Sequence, residues 1–259
     1  MPGAGAWLTA PPAGDGREMD SSLFQVALKR RIRVPVSDAD AFCPTCGGCL
    51  DRFGDHAVVC CCGGDRTIRH NAIRNVFFQD AAQAGLRPER ERQGLLPERP
   101  QEDALRASGS GRRPADVWLP RGTGGRGVAL DFACTSGMRS DRMQLASEDA
   151  GCVLERYVEI KRSYMGTARL CEEAGFDFTP MVIESHGSWC AAARRAIDLV
   201  SRTQAASGNE QGEVVSLRIA QRLSIALHRE NARAVLRRAS APPQADSPSG
   251  WAEECAVAD

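Results

Sequence analysis

Six of the chain's 11 cysteines fall between Cys43 and Cys62. A stretch that short has too little apolar surface to hold itself together by burial alone. The thiols must therefore be tied to something. The number of cysteines is odd, and the chain does not start with a basic stretch followed by an apolar one, so no secretory signal is expected. Both facts favour a metal over a disulfide framework. The spacing is Cys43-Pro-Thr-Cys46, nine residues, His56, three residues, Cys60. A CxxC turn followed by a distant HxxxC supplies four ligands for tetrahedral zinc, and a site filled by four protein groups is structural rather than catalytic. Cys49, Cys61 and Cys62 compete for the same role. A cluster of buried thiols or a redox motif is the alternative reading.

The rest of the chain has the composition of a folded α/β domain, with 42% hydrophobic and 25% charged residues. Its 259 residues allow one ordinary domain plus an appendage, or two small domains. Residues 1–20 are rich in Gly, Pro and Ala and read as disordered. Residues 21–65 read as a short helix and the zinc knuckle, 66–204 as the core, 205–238 as a linker and a basic helix, and 239–259 as a disordered tail. Inside the core, 69–85 has helical spacing, and 88–96, 115–119 and 128–133 read as strands. The segment 140–175 reads as one long amphipathic stretch, 176–184 as a strand and 189–202 as a helix. Pro180 argues that the 176–184 strand lies at an edge or carries a bulge. The order is helix, three strands, long helix, strand, helix: an α/β fold with a small mixed sheet flanked by helices. No run of about 18 apolar residues occurs, so no membrane span is expected.

Two carboxylates stand out. Asp116 opens one strand in Pro114-Ala115-Asp116, and Asp131 sits inside the apolar run Val128-Ala129-Leu130-Asp131-Phe132-Ala133. An unpaired acid there is costly. A hairpin between the two strands brings the acids together, and a hard divalent cation, magnesium or manganese, relieves their repulsion. Lysine is rare: of 33 basic residues only Lys29 and Lys161 are lysines. The zero formal net charge hides local excesses of arginine. Arg66, Arg69, Arg74, Arg112, Arg113 and Arg139 flank the acids in sequence and are candidate phosphate contacts, helped by a helix expected to begin at Arg69. Aromatic content of 5% makes broad base stacking a poor leading mode.

Taken in order, the knuckle, Arg69-His70-Asn71, Arg-Pro-Ala-Asp116 and Leu-Asp131-Phe resemble the restriction-like endonuclease domain of site-specific non-LTR retrotransposons, a branch of the PD-(D/E)xK nuclease superfamily. The similarity spans about residues 23–190. It implies a restriction-endonuclease-like core and a magnesium- or manganese-dependent hydrolase that nicks a DNA target strand, leaving a primer terminus for reverse transcription. Asp116 and Asp131 would hold the metal. The superfamily's lysine normally follows the second acid by two residues, and that position here is Ala133. The retrotransposon domains place the lysine later, on the following helix, which points to Lys161. Glu91 is the candidate for a further acid, with Glu89 competing, and Arg69, His70, Asn71, Arg112 and Arg113 for nucleic-acid contacts. His186 reads as structural. The implied partners are DNA or RNA–DNA intermediates. The implied location is intracellular, nuclear if chromosomal DNA is cut, and the chain would be a detached or domesticated piece of an element. A non-catalytic, zinc-dependent nucleic-acid-binding remnant is the competing expectation, and a zinc-knuckle adaptor for proteins a third.

Overall fold

A computed structural model describes residues 3–102, 111–149, 151–208 and 210–240. The notional tail beyond residue 240 and residues 103–110 of the polar loop lie outside the described residues. Helix α1 spans Ser21–Arg31. The two-residue strands β1 (Ala41–Phe42) and β2 (Cys49–Leu50) then pair antiparallel, followed by the short helix α2 (Asp55–Val59). Helix α3 runs over Asp65–Gln83. Strands β3 (Glu89–Arg90), β4 (Val117–Leu119) and β5 (Val128–Thr135) follow.

The segment expected as one long amphipathic helix is broken into three: α4 (Met143–Glu148), α5 (Cys152–Ser163) and α6 (Thr167–Glu173). The break between α5 and α6 falls where Met165 and Gly166 both take left-handed backbone, which no helix continues through. Strand β6 (Asp177–Glu184), α7 (Ala191–Ser207) and α8 (Gly212–Ser240) complete the chain. The last two helices are longer than their sequence pattern suggests, so the expected linker shrinks to a few residues.

The main sheet has the order β3-β4-β5-β6. The first two pairings are antiparallel and β5–β6 is parallel, so the sheet is mixed, and helices lie on both of its faces. Pro180 is indeed on an edge strand. One face packs Phe132 edge-on against Phe77 of α3 at 5.5 Å. The other carries Ala129 and Trp118 against Cys171 and Phe176. Trp118 lies over Gly127 at the end of the β4–β5 turn: a Cβ there would sit 2.2 Å from the indole ring. No helix among the described residues is long and apolar enough to cross a membrane.

The expectation of a disordered N-terminus fails. Residues 3–20 are not loose. The turn Ala6–Thr9 drives Trp7 into a pocket between α1 and α8, 3% exposed, beside Ala27, Ile225 and the ring of His228. Gln221 donates to the Thr9 carbonyl at 3.0 Å and Arg229 to that of Gly16 at 3.1 Å. The basic helix is likewise committed to protein. Arg222 pairs with Asp80, Arg237 and Arg238 with Asp65, Arg233 with Glu230 and Arg218 with Glu210. Composition sees a flexible leader and a cationic stripe; it does not see partners supplied from distant segments.

Candidate functional site

The metal centre is built by two tight pieces of backbone. The turn between β1 and β2 carries Cys43 and Cys46, closed by Cys43 N donating to Gly48 O (2.7 Å) and Gly47 N to Cys43 O (2.9 Å). Helix α2 and its end carry His56 and Cys60. Asp51 accepts from the backbone N–H groups of Asp55 (3.1 Å) and His56 (2.7 Å), which caps α2 and fixes the histidine. A side chain at residue 48 would put its Cβ 3.2 Å from the imidazole of His56, so glycine lets the two pieces close.

One ligand atom from each of Cys43, Cys46, His56 and Cys60 lies within 4.8 Å of the other three. Bonds of about 2.3 Å to a tetrahedral ion imply sulfur–sulfur edges of about 3.8 Å, so this Cys3His cluster is the right size for a metal such as zinc. Cys49, one of its competitors, is exposed. Burial works against ionising Cys60, yet its hydrogen bond to His56 and the proximity of Arg238 bring its thiol down to about 5. Burial and the Cys60 thiolate push Cys46 up to about 12.

The acidic site forms on the sheet. β4 and β5 pair as Val117↔Leu130, Trp118↔Ala129 and Leu119↔Val128. Asp116 lies one residue before the paired stretch, and its N–H donates to Leu130 O at 2.9 Å, next to Asp131, whose carboxyl feels the charge of Asp116. Lys161, on α5, places Nζ 3.2 Å from Asp131 Oδ1 and 3.1 Å from Oδ2. Alternation along β5 puts Ala133 on the face of Asp131, so the helix delivers the ammonium to the face where a strand lysine would have pointed. Burial and the neighbouring Asp116 raise the Asp131 carboxyl, against the pull of Lys161, to about 6.

His70, expected among the nucleic-acid contacts, lies on the first acid. Its Nε2 is 3.0 Å from Asp116 Oδ2, which also accepts from Phe132 N at 2.6 Å. Burial resists charge on both groups, but their contact holds Asp116 below the usual carboxylate range and lifts the imidazole. Asn71 Oδ1 is 3.2 Å from His70 Nδ1 and so orients the ring. Glu91 donates its backbone N–H to Asp116 O (3.1 Å), while its half-exposed carboxylate takes a 2.6 Å bond from Arg74.

Arg69 is a correction. Helix α3 starts at Asp65, not Arg69, so the arginine lies in its second turn. It is 4% exposed and donates to Val58 O (3.0 Å) and Asn231 Oδ1 (3.1 Å). It ties α3 to α2 and α8. Arg112 and Arg113 do reach the acids' neighbourhood: they line a cavity of about 380 Å³ together with Asp131, Lys161, Tyr157 and Tyr164. Sequence reading passed over the two tyrosines as site residues. Their positions, four residues before and three after Lys161, put all three on one helix face. No protein-family model matches this chain, and no curated protein matches it.

Proposed function

We propose that the chain is a metal-dependent DNA endonuclease domain of retroelement type, hydrolysing a phosphodiester to nick a target strand. The observation that carries this reading is the Asp131–Lys161 ion pair on the wall of one arginine-rimmed cavity, with Asp116 close enough for its charge to act on both groups. The order of α3, three strands, α5 and β6 supports a restriction-endonuclease-like core. So do the sequence motifs quoted above.

In this proposal Asp116 and Asp131 hold magnesium or manganese, which would polarise the phosphodiester and acidify a bound water. His70 fixes Asp116 through Oδ2 and leaves its other oxygen for the cation. Lys161 presents a compact positive charge to the phosphoryl oxygens as charge develops. Arg112 and Arg113 hold flanking phosphates at the cavity rim. Glu91 acts from beside Asp116 once Arg74 releases it. The Cys43, Cys46, His56, Cys60 centre takes zinc and has a structural part: Arg66 and Arg69 of α3 donate to Val59 O and Val58 O on the knuckle helix, each at 3.0 Å. The knuckle thus sets the helix that carries His70.

The test is nicking of supercoiled plasmid in magnesium or manganese by wild type and by Asp131→Ala. Cutting that disappears in the variant is the expected result. Duplex binding with no cutting by wild type would instead favour the non-catalytic remnant. The observation favouring that second reading is that His70 and Lys161 already neutralise both acids.

A further inference from the structure

The chain has two tyrosines, and both line the cavity that holds Asp131 and Lys161. Tyr157 lies within α5 and Tyr164 caps its end, two turns later, with Lys161 between them on the same face. The two rings differ in what they can do. Tyr157 is 7% exposed, and the guanidinium of Arg142 lies over its ring at 5.3 Å. It is cavity wall. Tyr164 is 50% exposed. Its backbone is held from both sides: its N–H donates to Ile160 O, and its carbonyl accepts from Thr167 Oγ1 at 2.7 Å. Met165, the next residue, has φ 48°, left-handed backbone that a side chain makes unfavourable. Strain of this kind is kept where the surrounding fold holds it, and it clusters at ligand sites. Here it ends α5 with one aromatic ring at the cavity.

The cavity measures about 380 Å³. Pockets for small organic molecules begin at about 300 Å³, so there is more room than phosphate oxygens at the Asp131–Lys161 pair would fill. The walls are of two kinds. Leu96, Pro114 and Ile160 add apolar surface beside the rings, while Arg112 and Arg113 join Lys161 on the cationic side. A ligand that matches both has a flat apolar part and an anionic part. A nucleotide has both, in its base and its phosphate. Residues three apart on a helix hold their Cβ atoms about 5–6 Å from each other. A base on Tyr164 and a phosphate at Lys161 can therefore belong to the same or adjoining nucleotides of one strand.

We propose that this cavity takes one unpaired base, stacked on Tyr164 beside the phosphate at the Asp131–Lys161 pair. The preferred substrate is then a duplex with an unpaired nucleotide where the cut falls. The proposal deepens the nucleic-acid reading above and rests on it. Inside a paired duplex both faces of a base are covered by its neighbours, and extruding it costs stacking and pairing. A base that is already unpaired avoids most of that cost. One base is involved, not a run, which suits a chain with 5% aromatic residues. Stacking tolerates every base, so Tyr164 selects the state of the nucleotide and not its identity.

Fluorescence anisotropy with magnesium omitted, so that nothing is cut, tests this on two duplexes of one sequence. One is fully paired and the other carries a single extra, unpaired nucleotide at its centre. The proteins compared are full-length wild type, Tyr164→Ala and Tyr164→Phe. Wild type is expected to bind the bulged duplex roughly tenfold more tightly than the paired one. Tyr164→Ala should lose that preference and keep its affinity for the paired duplex, while Tyr164→Phe, which retains the ring, should keep both. Equal affinity of wild type for the two duplexes overturns the proposal. So does a preference that survives in Tyr164→Ala, or a loss in that variant that falls on both duplexes alike, as a merely structural role would give. Nicking in magnesium separates this from the nuclease reading. A ring-dependent bulge preference in a wild type that never cuts fails the nuclease and leaves the base site standing. Equal cutting of both duplexes, unimpaired in Tyr164→Ala, does the reverse.

Discussion

Lys161 and Asp131 form an ion pair in which one ammonium lies 3.1–3.2 Å from both oxygens of one carboxylate, across thirty residues of chain. About a quarter of the lysine side chain and a fifth of the aspartate remain exposed, on the wall of the larger cavity. The pair is therefore reachable by a phosphate. Lys161→Met is expected to reduce nicking by about 10²- to 10³-fold with little change in melting temperature. Lys161→Arg should not restore it, because a larger, rigid planar fork cannot take the place of a compact ammonium against Asp131. Full activity in Lys161→Arg would show that only net charge matters there.

Metal removal should act on folding first. Zinc analysis of the purified chain is expected to give one ion per molecule. Cobalt substitution should give the strong visible bands of a tetrahedral thiolate site. Cys43→Ser and Cys60→Ser should lose the metal, while Cys49→Ser, at an exposed position, should keep it. A chelator should then unravel the contact of Ala57 and Val58 with Leu23, Val26 and Val235. Equal metal content in Cys49→Ser and Cys60→Ser would refute the ligand set.

Arg69 and Arg112 should separate stability from binding. Arg69→Ala leaves the Val58 carbonyl and Asn231 without their donor, and is expected to cost about 3 kcal/mol in denaturant unfolding. Arg112→Gln should leave the unfolding midpoint within about 0.5 kcal/mol of wild type and reduce the salt slope of duplex binding by about 1. The opposite pattern would return Arg69 to the nucleic-acid surface.

Acid should destabilise the fold through His228. Burial, with Arg30 and His186 nearby, lowers its imidazole to about 3, against 6.5 for the free group. The native state therefore binds fewer protons than the unfolded chain between those values. Stability is retained above pH 6.5 and falls as pH drops toward 3, at a limit of about 1.4 kcal/mol per pH unit. Replacing the ring by His228→Gln should flatten the dependence between pH 6 and 4, read from urea midpoints followed by tryptophan fluorescence. An unaltered slope would assign acid sensitivity elsewhere.

Much of this arrangement could be read from local pattern. An acid inside an apolar run, a second acid opening the preceding strand and a glycine-rich turn between them are enough to bring Asp116 and Asp131 near each other. The CxxC and HxxxC spacings likewise pick out four groups that meet in space. What pattern could not show is which charged groups are already spent. Arg69 looks like a phosphate contact until Asn231, 162 residues away, is placed against it. The arginines of α8 look unpartnered in sequence until Asp80 pairs with Arg222 and Asp65 with both Arg237 and Arg238. Trp7 sits in a leader whose composition says disorder, yet one large ring with a matching hole is enough to seat the segment. His70 stands out in the sequence only beside Arg69 and Asn71, and its contact with Asp116 depends on how α3 crosses the sheet.

Pro180 has a further effect. Cys190 approaches β6 from its outer side, with N donating to Val182 O at 3.0 Å and Sγ to Pro180 O at 3.4 Å. Those carbonyls, and with them the proline nitrogen that carries no hydrogen, face away from β5. The opposite border of the sheet, β3, is only two residues long. Among the described residues neither margin offers a long open edge to an added strand, so the sheet resists growing into a ribbon with a second molecule.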